Sequence, residues 1–568
     1  MTTPGTPPER DAETVVTASV PGPQADRRTQ SLGRASSLIA TASLISRITG
    51  FLRHVALASV LAFGVLNDSY IVANTLPNIV YELLLGGVLT SVMIPLLIRA
   101  QTEDADGGET YTCRLLTMAG VALLGATVVA MITAPLLTRL YLGGAGADAA
   151  NPELATAFAL LLLPQIFFYG LGALLGAILN SHRVFGPFAW APVLNNVVVL
   201  AVVAVFYAMP GEVSLDPVRM GEPKLLVLGL GTTLGIVVQA LVLVPAMRRV
   251  GFRYRPVWGW DPRLTAAGGL ALWVTAYVLI GQAGYIVTTR VAAGATEGSV
   301  SIYTYAWLLL QVPYGIIGVS LLTALMPRMS RAAAEGRDAD VVADLSLGSR
   351  LCAIALLPVS VLLTVVGPAV GVAVFALGRA GDGGGNARLG VAIAVSAFGL
   401  LPFAVVMLQL RVFYALTDSR TPTLIQLAVV GVKVPLLLAC PVLLAPEQVV
   451  FGLAAANSAS FVFGAVLGQV LLRRRLGPVR TGEVLGTVWR TAVASAVSGL
   501  ITFGAIALLI SGPTGDWSNV ARAWAVLCVA TVTFIPATTI AMRIVRVAEL
   551  EPLWQQLARL AKRHNRRR

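Results

Sequence analysis

Long apolar runs, rather than strict alternation, set the pattern of this chain. From residue 36 almost to the end, stretches near the roughly 20 residues that cross a bilayer recur between short polar loops. They predict about fourteen helices, near 36–64, 69–100, 112–142, 153–180, 187–209, 224–247, 263–293, 300–327, 343–378, 387–416, 421–445, 448–473, 484–511 and 519–546. The segments 263–293 and 343–378 are long enough to imply tilt or kinks. Pro77, Pro95, Pro164, Pro313, Pro327, Pro358 and Pro402 fall inside or at the ends of these helices. Each removes a backbone hydrogen bond and bends its helix, which is tolerated at membrane depth where neighbours or a wet cavity satisfy the freed groups.

Composition turns this pattern into a solvent. Of 568 residues, 56% are hydrophobic and 12% charged, and the mean hydropathy is +0.79. Soluble domains carry about 25% charged residues, so this is an all-α polytopic membrane protein. The net charge of +13 is explained by Lys and Arg gathering in cytoplasmic loops, without nucleic acid. The cations are nearly all Arg, with Lys only at 224, 433 and 562; together with abundant Ala, Gly and Val this points to a high-GC bacterium.

Cys113, Cys352, Cys440 and Cys528 are dispersed and form no CxxC pair, so neither disulfides nor a metal cluster is expected. His54, His182 and His564 have no second ligand at helical spacing. There is no Walker loop, no G-x-S-x-G and no dinucleotide fingerprint. A transporter rather than an enzyme is therefore expected. It would need no cofactor and would draw on an ion gradient, the membrane potential or the substrate gradient, with any coupling cation unidentified.

Loop charge gives an orientation. One set of loops holds Arg99, Arg114, Arg183, Arg248, Arg249, Arg253, Arg255, Arg263, Arg328, Arg331, Arg337, Arg420 and Arg473 to Arg475. The alternate set, at Asn67–Asp68, 143–151, 210–223, Glu297, 379–386, Glu447 and Asp516, is poor in them. The rich set is cytoplasmic by the positive-inside rule, which puts both termini there.

Two motifs recur. Pro95, Arg99 and Ala100, preceded by Gly86-Gly87-Val88, match Pro327, Arg331 and Ala332 after Gly318-Val319. Leu162-Leu163-Pro164, leading to Arg183 and Pro187, matches Leu400-Leu401-Pro402, leading to Arg420 and Pro422. The offset of 232 to 238 residues spans six helices, implying two parallel six-helix lobes. The expected organisation is a disordered tail 1–35, a first lobe 36–247, a second lobe 248–482, two extra helices over 483–547, and a basic tail 548–568 on anionic headgroups.

Charges inside the membrane are costly and usually face a cavity or a partner. Arg47 and Arg53 lie in the first helix, about 9 Å apart along its axis and about 120° apart around it. Both face a central cleft, given a bend at Gly50, or snorkel to headgroups. Glu82 has either an arginine partner or a coupling cation. Asp68 is either a site carboxylate or a helix N-terminal one. Arg290 is a further cationic candidate. Arg411 and Lys433 are candidates for a coupling or structural charge. Several cations around one cavity suit an anionic substrate, and Arg suits phosphate.

The run Ser46-Arg47-Ile48-Thr49-Gly50-Phe51-Leu52-Arg53, then Asn67-Asp68-Ser69-Tyr70 and Leu76-Pro77-Asn78, resembles the opening of the MurJ (MviN) flippases. So do Pro313 to Pro327 and Arg411-Val412-Phe413-Tyr414 with Arg420-Thr421-Pro422. The likeness covers about residues 36–546 and is greatest to the actinobacterial branch. It implies the fold of the multidrug/oligosaccharidyl-lipid/polysaccharide (MOP) exporter superfamily: two lobes around a cationic cavity, and a two-helix groove for a lipid tail. The implied substrate is lipid II, the undecaprenyl-diphosphate-linked peptidoglycan precursor, moved across the bacterial plasma membrane by alternating access. Membrane lipids and cell-wall synthesis proteins are the further partners implied. Export of another lipid-linked saccharide and a non-transporting scaffold are the alternatives. Arg47, Arg53 and Asp68 match family positions directly. Tyr81 and Glu82 stand where many members carry an Arg pair, and Trp307 and Leu308 where many carry Asp-Arg. The site is therefore expected to be rebuilt, with Arg290 contributing.

Overall fold

The computed structural model describes residues 23–83, 93–143, 150–215, 218–263, 268–376, 378, 384–512 and 517–551. Described residues form helices joined by short loops, and thirteen helical stretches are long and apolar enough to cross a membrane. The remaining expected span, 69–100, includes residues 84–92 and the Gly86-Gly87-Val88 motif, which lie outside the described residues. The tail 552–568 and residues 1–22 lie outside them as well.

The first lobe runs α1 (Pro23–Leu61), α2 (Val65–Leu83), α3 (Ile94–Glu103), α4 (Glu109–Ile132), α5 (Ala134–Leu142), α6 (Pro152–Leu162), α7 (Gln165–Ser181), α8 (Gly186–Ala208), α9 (Pro223–Leu241) and α10 (Val244–Arg249). The second runs α11 (Gly268–Ala293), α12 (Ser299–Pro313), α13 (Val319–Ala334), α14 (Asp338–Phe375), α15 (Gly385–Ser396), α16 (Leu400–Ala415), α17 (Arg420–Leu443) and α18 (Pro446–Leu476). Then α19 (Thr481–Ser511) and α20 (Asn519–Ile544) pack on each other and on α14. In the first lobe α8 lies between α1 and α9, and α2 packs on α6; in the second, α11 packs on α17 and α14 on α15.

The repeat is visible in the breaks. The span of α6 and α7 is interrupted at Leu163–Pro164, and its counterpart breaks over Ala397–Gly399 just before Leu400-Leu401-Pro402. Pro313 ends α12, and a π-helical turn, Tyr314–Gly318, leads into α13.

Two expectations change. α1 begins at Pro23, so residues 23–35 are helical rather than part of a disordered tail. The stretch 250–263, expected to open the second lobe, is instead fastened to the first: Thr117 Oγ1 accepts from Val257 N–H at 3.2 Å and bonds Tyr254 Oη at 3.1 Å. Apolar side chains such as Ile132, Leu500 and Val442 stand 75%, 72% and 81% exposed, as helices solvated by lipid require.

Candidate functional site

The lobes meet in a tight seam where α2 starts. Asp68 Oδ1 accepts the Ser301 N–H at 2.8 Å and Oδ2 the Val300 N–H at 3.4 Å. These donors belong to the first turn of α12, where N–H groups lack intrahelical partners and the helix dipole favours a carboxylate. Asp68 thus caps a helix of the opposite lobe, and only 1% of it is exposed. Beside it, Asn67 accepts from Tyr305 Oη at 3.2 Å and donates to the Ala62 carbonyl at 2.6 Å. Gly298 precedes α12 with φ 77°, and a Cβ there would strike the Phe63 carbonyl. Phe63 packs edge-on against Tyr305 at 6.0 Å and lies 6.2 Å from Phe375, closing the seam with aromatic rings. Arg388, from the first turn of α15, donates to Thr296 Oγ1 at 2.6 Å next to these residues.

Farther along α1 the environment is different. Arg53 is half-buried. Its Nη2 lies 3.5 Å from His54 Nε2, and its buried Nε has no hydrogen-bond partner among the described residues. Tyr70, Tyr169 and Tyr305 are within its electrostatic reach, and among the described residues no carboxylate pairs with it. Arg47 is exposed, and its guanidinium lies directly over Gly315 in the π turn of the other lobe. There it lines an inter-lobe cavity of about 380 Å³ with Phe51, His54, Leu308 and Gln311. On the other side of α1 it borders a second cavity, of about 470 Å³, against α8. α1 runs through Gly50 as one helix. That glycine faces Asn196 of α8, whose Nδ2 reaches the Ser46 carbonyl at 3.1 Å and Thr49 Oγ1 at 3.0 Å. A Cβ at Gly50 would sit at ordinary contact distance, 3.4 Å, from Asn196 Nδ2.

The other candidates separate from this pair. Glu82 accepts from Gln282 of the second lobe at 3.2 Å, rather than pairing with an arginine. Arg290 is exposed near the end of α11 beside Gly143, so it does not join Arg47 and Arg53. Asp68 is sealed in the seam rather than open to a cavity. Arg411 stands near Tyr314 and Tyr414. Lys433 is half-buried in α17 without an ion pair among the described residues. Trp307 stacks on Phe461 at 5.4 Å and meets Phe403 edge-on at 5.2 Å, so ring packing occupies the place where the resemblance puts a charged pair in many relatives. Sequence reasoning missed Ser301, Tyr305 and Arg388. Arg388 had a legible signal, a cation beside an Arg-poor loop. The other two carried none, since their partners lie more than 230 residues away. Among the described residues no three His, Cys, Asp or Glu side chains converge on a metal position.

Two helical lobes, clasped at one end around a space whose cations Arg47 and Arg53 make no ion pair among the described residues, define a two-lobed membrane transporter. Solved structures agree on the fold. A structure titled "Lipid II flippase MurJ, inward closed conformation" superposes with a TM-score of 0.69 at 16% identity, covering 89% of this chain and 99% of that one. An inward-facing multidrug resistance MATE family transporter of the MOP superfamily gives 0.62 at 15% identity, over 78% of this chain and 98% of its own. The family described as lipid II flippase MurJ matches residues 57–527, and this chain belongs to it. The probable lipid II flippase MurJ of Rhizobium meliloti is 28% identical over 489 residues, 84% of this chain and 87% of that protein. That of Haemophilus influenzae is 27% identical over 403 residues, 67% of this chain and 75% of its own.

Proposed function

We propose that this protein flips lipid II from the cytoplasmic to the outer leaflet by alternating access, with its Arg-rich loops and both termini in the cytoplasm. The observation that carries the reading is Arg53: a half-buried guanidinium in α1 with an unsatisfied Nε and no carboxylate partner among the described residues. A charge held this way is stabilised best by an anion that comes and goes, and a diphosphate matches the guanidinium's bidentate geometry. Arg47, at the mouth of the inter-lobe cavity, meets the same anion on entry. The polyprenyl tail stays in lipid along α19 and α20. Release on the far side requires the Asp68 seam to part, and Asp68, Asn67 and Tyr305 are the bonds that must then be exchanged. An ion gradient or the membrane potential supplies the bias, with Glu82, Arg411 and Lys433 as the charges available to sense it. Cell-wall synthesis proteins are the partners expected at the exposed loops.

Bacteria depleted of their own lipid II flippase provide the test. Wild-type chain should restore growth and the exposure of lipid II at the outer leaflet, whereas Arg53→Ala, at equal membrane level, should restore neither. No rescue by well-expressed wild type would point to another lipid-linked saccharide.

A further inference from the structure

The stretch joining the lobes, 250–263, contains two kinds of arginine. Arg263 donates to Asp104 at 3.1 Å through both terminal nitrogens and to Asp261 at 3.1 Å through Nε, and its guanidinium lies 4.6 Å from the Tyr111 ring centre. Arg114 adds a longer contact to Asp261, at 3.8 Å. With the Thr117 bonds to Tyr254 and Val257, this cluster staples the stretch over the end of α4. Arg248 and Arg253, by contrast, are exposed and make no ion pair among the described residues. They stand at the mouth of a cavity of about 800 Å³ whose apolar walls include Gly120, Leu124, Phe167 and Trp258. This cavity opens on the outside of the first lobe, between α4, α7, α10 and the stapled stretch, apart from the space between the lobes. Tyr254 and Trp258, which line it, are 54% and 66% exposed, and Trp260, two residues on, is 65% exposed. Such rings settle at the level of lipid headgroups.

An apolar slot with a cationic mouth at headgroup depth matches an amphiphile with an anionic head. We propose that it binds one anionic glycerophospholipid, its phosphate on Arg248 and Arg253 and an acyl chain against α4 and α7. The bound lipid fastens the inter-lobe stretch, and through it the first lobe, to one leaflet. Only the identity of that leaflet, the cytoplasmic one, rests on the orientation proposed above. The charge on the two arginines steers an anionic headgroup over a zwitterionic one, and the slot demands a chain.

The full chain, purified from vesicles of equal phosphatidylglycerol and phosphatidylcholine without lipid II, should retain one phosphatidylglycerol by native mass spectrometry. Affinity should fall about thirtyfold in Arg248→Gln/Arg253→Gln, from the attraction of two surface cations to an anionic headgroup. Gly120→Trp should displace the lipid with both charges kept; a Cβ at Gly120 meets nothing within 4 Å, so the ring enters open space and the fold is spared. Arg47→Gln should retain the lipid. Equal retention of phosphatidylcholine, loss in Arg47→Gln but in neither slot variant, or displacement by glycerol phosphate alone would each overturn the proposal. Because the readout needs no lipid II, its failure leaves the growth rescue standing, and failure of the rescue leaves this binding intact.

Discussion

The two ends of the inter-lobe space differ in how their polar groups are satisfied. At the seam, Asp68, Asn67 and Tyr305 are buried and partnered across the lobes, and aromatic rings fill the remainder. Along α1, about two turns back from its seam end, Arg53 keeps an unpartnered Nε, and about four turns back Arg47 faces a cavity. A protein that spends its hydrogen bonds at one end and leaves cations idle at the other is closed where it is satisfied and receptive where it is not. The cost of parting the seam is the cost of exposing partnered groups, and the reward offered to an anion is the relief of unpartnered ones.

This contrast can be broken from either end. The largest effect is expected from Arg53→Ala, which should lower lipid II exposure in depleted cells by about a hundredfold, the scale of one charge-assisted bond near 3 kcal/mol. Unchanged exposure would move the anion site elsewhere. Next is Asp68→Ala, which strands the Val300 and Ser301 N–H groups. It should cost about 2 kcal/mol of seam stability and speed thiol labelling of a cysteine placed at Asn67 from outside the cell; a labelling rate equal to that of the Asn67→Cys parent would mean that Asp68 does not hold the seam. A smaller gain is expected from Leu308→Arg, which adds a second cation to the cavity that Arg47 lines. In an Arg47→Ala background it should recover a few-fold of the lost flipping, and no recovery would show that the position along α1, not the charge, is what counts.

The smallest effect lies outside the membrane. Burial opposes the charge on Asp261, but its bonds from Arg263 outweigh burial and hold the carboxyl below the usual carboxylate range. Its contribution is therefore complete above the unfolded value near 4 and is lost as the pH falls through the lower folded value. Protection of the amides in 250–263, relative to their intrinsic exchange rates at each pH, should stay high at pH 7 and fall only below about pH 4. A fall in protection near pH 6 would assign the staple to another group.

Much of this was legible in the chain. Apolar runs give the helices because a bilayer leaves backbone groups no partner but the helix itself. The doubled Leu-Leu-Pro motif marked two lobes, and the proline breaks appear where it stands. Arg47 and Arg53 stood out because charge in lipid is expensive wherever it falls. What only the tertiary structure decided is which charges keep company. Asp68 became a cap on α12 because folding carries Ser301 to it across 233 residues. Glu82 found Gln282, and Arg290 went to the end of α11 beside Gly143. The staple of 250–263 onto α4 was equally hidden, since it depends on Thr117, Asp104 and Asp261 meeting in space. Burial and helical form are set by local pattern against the solvent, whereas pairing is set by which helices the fold makes neighbours.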